Sequence, residues 1–363
     1  MYGKGWRIAL LVAAAAVTVP IENPNSPRLI EQRAAREGTL TIYSTTDARE
    51  AAPLLDAFKS SYPFLTVRYA EISAAELYDR FLRESREHNA SADLLWSAAM
   101  DLQIKLVNDG HAQAYVSPER PALPDWAIWK DEAFGVTAEP IVFAYNNKLV
   151  PPGDVPRSHA ELLGLLRSDR GFYRGKIASY DPSRSGSGFL YLTWDLHTNR
   201  DTWELVDALG SVSSTFHETT KEMLDRLSDG RSLIAYNLIG SYALDRQARD
   251  PSISVILPED YTLIMSRIAI IPRNARHPDA AKLFLDFLLS RRGQSLLASR
   301  FMTPVRSDVA PPGGARAAQV TTRAIRVGPV LLVYLDQLKR RRFLADWRSN
   351  LARSDASPPP LPH

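Results

Sequence analysis

The stretch Leu40-Thr41-Ile42-Tyr43-Ser44-Thr45-Thr46-Asp47 joins an apolar strand to a turn rich in hydroxyl groups. A helical pattern follows, then a strand at residues 65–69, a second helix, and a strand at residues 92–96. Strands that alternate with helices in this way predict a parallel sheet with helical crossovers. Ligands bind beyond the carboxyl ends of such strands. The candidate ligand-binding residues at these ends are Ser44, Thr45, Thr46, Asp47 and Ser97. Each hydroxyl alone is equally consistent with a helix N-cap.

A second strand-to-helix turn, Asp181-Pro182-Ser183-Arg184-Ser185-Gly186-Ser187-Gly188, is rich in glycine and serine. Backbone N–H groups at a helix N-terminus lack intrahelical partners, and the helix dipole favours an anion there. The turn therefore adds four candidate ligand-binding residues: Arg184, Ser185, Gly186 and Ser187. The alternative interpretation is a capped helix behind a flexible loop.

A third polar cluster follows the strand predicted at residues 233–237. It contributes the candidates Tyr236, Asn237, Ser241 and Tyr242. A phenol at a strand end is able to hydrogen-bond a sugar or phosphate, or to bind a ferric ion as phenolate. Both tyrosines are equally consistent with amphipathic residues at the edge of the core.

The composition limits the function classes. The 363 residues suffice for about two domains. A net charge of +3 argues against a nucleic-acid binder, and the lack of cysteine excludes disulfides and thiolate chemistry. The sequence contains no phosphate loop, no zinc-binding H-E-x-x-H pair and no nucleophile elbow. We therefore expect neither an enzyme nor a bound cofactor.

The N-terminus has the pattern of a signal peptide. Lys4 and Arg7 precede an uncharged apolar run, residues 8–19, which is too short to span a membrane comfortably. We expect residues 1–25 to be a signal peptide that directs the protein to the periplasm; an uncleaved N-terminal anchor is the alternative.

Five segments together resemble one family: LTIYSTTD, ADLLWSAAMD, DPSRSGSG, DGRSLIAYNLIGSYAL and RIAIIPRNARHPDAAKLFLDFLLSRRGQSLLA. The chain is similar, over roughly residues 38 to 350, to periplasmic solute-binding proteins of ABC transporters. The resemblance is to the group that binds ferric ion, phosphoglycerate or sugar phosphates. The last segment, residues 267–298, is its most specific part.

The resemblance implies an α/β, two-lobed type II fold, each lobe a mixed, mainly parallel sheet flanked by helices. Lobe 1 would comprise residues 38–146 and 260–350, and lobe 2 residues 147–259. Hinge crossovers would lie near residues 143–147 and 255–264. Residues 351–363 are Pro-rich and predicted to form a disordered tail.

The resemblance also implies a small ligand in the cleft between the lobes. Ferric-binding members carry two adjacent tyrosines where this chain has Ser241 and Tyr242, with Tyr236 further away. We therefore expect a small anionic solute, an organic phosphate such as phosphoglycerate or a sugar phosphate; ferric ion, bound through Tyr236 and Tyr242, is the alternative. The expected partners are the transmembrane subunits of an ABC permease, with the chain itself a monomer. A sensor that signals to a membrane histidine kinase is a further alternative.

Overall fold

The computed structural model describes residues 25–87, 91–312 and 320–352. Nearly all of the predicted signal peptide lies outside these ranges. Of the predicted tail, Leu351 and Ala352 form the end of a helix, and the rest lies outside the described residues. No helix within the described ranges is long and apolar enough to cross a membrane.

The first lobe is built on a six-stranded sheet in the order β2-β1-β3-β12-β5-β4. Its strands are β1 (Thr39–Ser44), β2 (Thr66–Glu71), β3 (Leu94–Ser97), β4 (Ile128–Trp129), β5 (Ala133–Gly135) and β12 (Ile268–Ile270). Its helices are α1 (Pro27–Glu37), α2 (Ala48–Ser61), α3 (Ala74–Arg86), α4 (Met100–Asn108), α11 (Pro278–Leu289) and α12 (Arg291–Ala298). The strand–helix alternation predicted at the start of the chain is present, with β1 parallel to both β2 and β3.

The second lobe is built on a seven-stranded sheet in the order β13-β11-β6-β9-β7-β8, with β10 also paired to β6. Its strands are β6 (Glu139–Asn146), β7 (Ile177–Tyr180), β8 (Thr215–His217), β9 (Ile234–Ile239), β10 (Ile253–Ile256), β11 (Thr262–Met265) and β13 (Thr322–Ala324). Its helices are α5 (His159–Ser168), α6 (Arg170–Tyr173), α7 (Gly186–Thr198), α8 (Thr202–Ser211), α9 (Thr220–Ser228), α10 (Gly240–Arg249) and α13 (Gln337–Ala352). Both sheets are mixed, as expected, but neither is mainly parallel, because β6 and β12 run antiparallel to every strand with which they pair.

The chain passes between the two sheets at positions that differ from those predicted. Residues 136–138 connect β5 to β6, and residues 266–267 connect β11 to β12. β6 and β11 belong to the second sheet because β6 pairs with β9, β10 and β11. The segments predicted as crossovers are therefore largely sheet strands, and the C-terminal strand β13 also belongs to the second sheet, through β11.

The helix starts follow local capping rules. The Ser73 hydroxyl accepts the N–H of Glu76 at 3.2 Å, and the Thr219 hydroxyl accepts the N–H of Glu222 at 3.2 Å. Both pairs match the S/T-x-x-E pattern that a capping box requires. These local signals place α3 and α9 independently of the rest of the fold.

The C-terminal segment contacts both lobes. The N–H of Val327 donates to the carbonyl of Trp126 in the first lobe, and a 3₁₀ helix, Pro329–Leu335, packs against α4. α13 then packs against α8 of the second lobe, where Gly210 approaches the backbone of Leu351. A Cβ atom at Gly210 would lie 2.2 Å from the Leu351 carbonyl oxygen. Only glycine permits this approach of the two helices.

We predict that Gly210→Ala lowers the free energy of unfolding by about 1–3 kcal/mol, because the added methyl forces α13 away from α8. Urea denaturation measures the change. Gly164→Ala in α5 is the matched control, since no described atom lies within 4 Å of its added Cβ position. That control should keep or raise the stability by up to about 1 kcal/mol. Equal stability of the two variants would contradict the close packing of α13.

Candidate functional site

A buried ion pair lies at the two crossovers, at the base of the space between the sheets. The Arg267 Nε donates to Glu139 Oε1 at 2.8 Å, and its Nη2 donates to Oε2 at 3.3 Å. The two side chains are only 1% and 0% exposed. Burial lowers the pKa of Arg267, but the Glu139 charge and Tyr242 outweigh it and hold that pKa well above its usual value. The guanidinium therefore stays charged.

Each lobe contributes a hydroxyl to this ion pair. Arg267 Nη1 donates to Thr46 Oγ1 of the first lobe at 3.0 Å, and the Ser241 hydroxyl of the second lobe donates to Glu139 Oε2. The Thr137 hydroxyl donates to Glu139 Oε1 at 2.9 Å, and the Arg267 N–H donates to Thr137 Oγ1 at 2.9 Å. The pair is thus held from both lobes and from both crossovers.

Tyr242 and Asp47 meet beside the ion pair from opposite lobes. The ring centroid of Tyr242 lies 5.4 Å from Arg267 Cζ. Burial raises the pKa of Tyr242, and Arg267 opposes that rise. Burial and the neighbouring Glu71 carboxylate raise the pKa of Asp47, while a hydrogen bond with Tyr242 lowers it. This part of the cleft is therefore acidic on the side of the first lobe.

Two strand-end hydroxyls of the first lobe, those of Thr45 and Ser97, lie together, as expected from adjacent parallel strands. The Thr45 hydroxyl lies 3.4 Å from the Ser97 hydroxyl and accepts the N–H of Ala98 at 2.9 Å. Ser97 Oγ accepts the N–H of Ala99, and Ser44 Oγ accepts the N–H of Thr46. None of these hydroxyls caps a helix, since the N-cap residues of α2 and α4 are Asp47 and Ala99. Ser44 and Ser97 instead bond the backbone two residues on.

The glycine- and serine-rich turn begins α7, as predicted. Ser185 is the N-cap, and its hydroxyl accepts the N–H of Gly188 at 3.2 Å. Gly188 is required, because a Cβ there would lie 2.2 Å from Tyr180 Cβ. Gly186 is exposed and Ser187 is half-buried at the first turn of the helix. The first two residues of α7 therefore have no side chain or a small one.

Arg184 is not a free cation in this turn. Its Nε donates to Asp181 at 2.9 Å and its Nη1 to Glu218 at 3.0 Å, and the side chain is 54% exposed. The two carboxylates thus more than neutralise the charge of the one guanidinium. The Ser183 hydroxyl also donates to Asp181, which keeps it within the turn.

Tyr236 and Asn237 lie inside the second lobe. The Tyr236 hydroxyl and the Asn237 amide both donate to Asp195 Oδ2 at 2.5 Å, and the Tyr261 hydroxyl donates to Oδ1 at 2.9 Å. Burial raises the pKa of Asp195, and nearby His159 opposes that rise. Asn237 has a φ of 66°, a left-handed conformation that asparagine tolerates better than most residues. We assign both residues a structural role. Across the described ranges, no three His, Asp or Glu side chains are placed to hold a metal ion.

Sequence reasoning missed the residues at the centre of the site, Arg267 and Glu139. Arg267 stands inside the apolar run Leu263–Ile271, and a charge in such a run signals a buried, paired group. Its partner is 128 positions away in the chain, so no local pattern identifies Glu139.

Comparison with known proteins identifies the family to which this chain belongs. Residues 89–323 match the family described as bacterial extracellular solute-binding protein. The substrate-binding protein of an ABC transporter from Agrobacterium tumefaciens is 36% identical, with a TM-score of 0.79 over 86% of this chain and 94% of that chain. No curated protein matched the sequence.

Two more distant structures share the fold. Iron-bound HitA from Pseudomonas aeruginosa is 19% identical, with a TM-score of 0.70 over 86% of this chain and 99% of its own. AfuA from Actinobacillus pleuropneumoniae, solved with fructose-6-phosphate bound, is 18% identical, with a TM-score of 0.70 over 87% and 99% of the two chains.

The family match and the Agrobacterium relative show that this chain belongs to the bacterial extracellular solute-binding proteins. It is the substrate-binding component of an ABC transporter. The resemblance in the sequence and the two-lobed α/β fold are both confirmed.

We predict that Arg267→Met lowers the free energy of unfolding by about 3–5 kcal/mol, because Glu139 is left buried and charged without a partner. Adding Glu139→Gln should recover much of the loss, since a neutral amide leaves no unpaired charge, accepts from the Thr137 hydroxyl and donates to the Ser241 hydroxyl. Urea denaturation of the single and double variants measures this coupling. If the losses in free energy of unfolding caused by the two substitutions simply add, the proposed coupling between Arg267 and Glu139 is contradicted.

Proposed function

We propose that this protein is exported to the periplasm and captures a small organic phosphate in the cleft between its lobes. It then delivers the solute to the transmembrane subunits of an ABC permease, acting as a monomer and without chemical change to the solute. One observation supports this location of the binding site. Polar groups from both lobes, Thr46 with Asp47 and Ser241 with Tyr242, converge on the ion pair of Arg267 and Glu139.

The start of α7 supports an anionic ligand. Helix geometry leaves the N–H groups of Gly186 and Ser187 without intrahelical acceptors, and the helix dipole adds positive potential. Ser187 adds a hydroxyl donor at the same place. A phosphate group suits this arrangement, because its oxygens accept several N–H and O–H hydrogen bonds at once.

The acidic side of the cleft supports a phosphate ester over inorganic phosphate. Asp47 is half-buried, and the nearby Glu71 carboxylate adds a second negative charge. These carboxylates repel a free phosphate ion but accept hydrogen bonds from hydroxyl groups. A ligand with a phosphate at α7 and hydroxyls towards Asp47 satisfies both sides, as a phosphoglycerate or sugar phosphate would.

The contacts of Tyr236 argue against ferric ion as the solute. Its hydroxyl donates to Asp195 within the second lobe, so Tyr236 and Tyr242 do not form the pair of phenolates that the ferric alternative requires. The distant relatives divide between the two ligands, with iron on HitA and fructose-6-phosphate on AfuA. The side chains of this chain favour the phosphate ester.

Export rests on the N-terminal sequence and on the extracellular character of the family. Residues 1–25 have the basic start and the apolar run of a signal peptide. N-terminal sequencing of the exported protein tests cleavage.

We predict that protein refolded to remove bound solute binds 3-phosphoglycerate or fructose 6-phosphate more tightly than it binds ferric citrate. Isothermal titration calorimetry with all three compounds measures the order. Tight binding of ferric citrate with no heat from either phosphate ester would refute the proposal.

We also predict that Ser187→Ala weakens binding of the phosphate ester about tenfold, because a charge-assisted hydrogen bond is lost. Ser183→Ala is the matched control, since the Ser183 hydroxyl is bonded to Asp181 in the turn. The control should bind as the unmodified protein does. Equal affinities of the two variants would show that the start of α7 does not bind the solute.

A further inference from the structure

Strand β9 contains one residue more than the stretch of β6 with which it pairs. The partners of Ala235 and Leu238 on β6 have only Phe143 between them. On β9 itself two residues stand there, Tyr236 and Asn237. This arrangement is a β-bulge, which shifts the pairing of every later residue of the strand by one.

Asn237 takes an unusual backbone conformation in this bulge. Its φ is 66°, in the left-handed region that asparagine enters more readily than most residues. Its side-chain amide and the Tyr236 hydroxyl donate to the same oxygen, Asp195 Oδ2, at 2.5 Å each. Asp195 belongs to α7 and is buried. Both bulge residues are therefore fixed to one carboxylate of a neighbouring helix.

The register set by the bulge continues beyond the end of β9 to the ion pair. Gly240 lies against Pro140, since a Cβ atom at Gly240 would be 2.6 Å from the Pro140 carbonyl oxygen. The next step along both chains brings Ser241 to Glu139, where the Ser241 hydroxyl donates to Glu139 Oε2. The bulge thus decides which residue reaches the ion pair from the second lobe.

The same sequence without the bulge would meet the ion pair differently. If the register of the first half of β9 continued, Gly240 would stand opposite Glu139. Glycine has no hydroxyl, so Glu139 would lose its donor from the second lobe. The side chains that follow would also point to the opposite face, because side-chain direction alternates along a strand.

We propose that Asn237 is a positioning residue of the solute site, which acts through the register of β9 and does not touch the solute. Its bulge places the Ser241 hydroxyl opposite Glu139. The next residue, Tyr242, is thereby placed beside Arg267. The inference rests on the proposed function, because it takes Ser241 and Tyr242 as parts of the solute site.

The test compares Asn237→Gly with Asn237→Val. Glycine adopts a left-handed conformation freely, whereas valine disfavours it and prefers a regular strand. Both variants are refolded without solute and titrated with fructose 6-phosphate. Asn237→Val should weaken binding about tenfold or more, and Asn237→Gly should lose much less affinity.

Ser213→Val is the matched control for backbone strain. Ser213 also has a left-handed backbone, with a φ of 50°, but it is exposed in the turn between α8 and β8. The control should lower the melting temperature, as Asn237→Val does, and leave the affinity for fructose 6-phosphate unchanged.

A measurement without ligand separates this inference from the proposed function. Ser241→Ala should lower the urea midpoint of the unmodified protein and of Asn237→Gly, because Glu139 loses a hydroxyl partner. In Asn237→Val the same substitution should lower the midpoint much less, because the hydroxyl no longer stands opposite Glu139.

Three results would overturn the inference. The first is an affinity of Asn237→Val equal to that of the unmodified protein. The second is an equal loss of affinity in Asn237→Gly and Asn237→Val, because the amide and not the backbone conformation would then matter. The third is an equal effect of Ser241→Ala on the urea midpoint in all three backgrounds.

Two further outcomes are covered by the same design. If Asn237→Val does not fold, Asn237→Ala replaces it, with the same order expected and a smaller loss. If the unmodified protein binds no phosphate ester, the proposed ligand class fails, and the urea midpoints still decide whether Asn237 positions Ser241.

Discussion

The buried pair of Arg267 and Glu139 is the constraint on which the rest of this structure depends. Both residues lie at or beside the crossovers, where the chain has just left one sheet for the other. An isolated buried charge is costly, so each residue needs the other and needs hydroxyls to satisfy its remaining donors and acceptors. Those hydroxyls come from Thr46 of one lobe and Ser241 of the other. The relative placement of the two strand-end turns is therefore tied to one ion pair.

This constraint has a consequence for binding. The groups that hold Arg267 belong to the same turns that face the cleft, so the floor of the site is formed before a solute arrives. Pre-formed polar groups reduce the cost of ordering that a ligand must overcome. A further interlobe ion pair joins Arg49 of the first lobe to Asp245 of α10 at 3.1 Å; its guanidinium is 61% exposed, whereas its carboxylate is 8% exposed.

Local sequence patterns were sufficient for elements whose signals are short-range. The hydroxyls of Ser73 and Thr219 begin α3 and α9 where the capping boxes predict them. The division between lobes was harder to predict. Residues 263–271 form one apolar run, and the pairing of β11 with β6 and of β12 with β3 divides that run at Arg267. Sheet membership depends on strands more than a hundred residues away, and no local pattern contains that information.

The same limit applies to the site. The contact of Thr45 with Ser97 was predictable because adjacent parallel strands end at one edge. Tyr236 was a reasonable candidate by position, but its hydroxyl is bonded to Asp195, which lies 41 residues earlier. Arg184 likewise has two carboxylate partners, of which only Asp181 lies in the same turn. Residue type and position suggest which groups face a cleft, whereas partners distant in the chain decide which of them remain available.

The central claim is that the solute occupies the cleft floor beside Arg267. The most direct measurement is a crystal structure of the exported protein together with the small molecule that co-purifies with it. We expect an organic phosphate with its phosphate oxygens within hydrogen-bond distance of Ser187, and its hydroxyls facing Asp47. A solute bound outside the space between the two sheets, or a metal ion held by Tyr242, would contradict this.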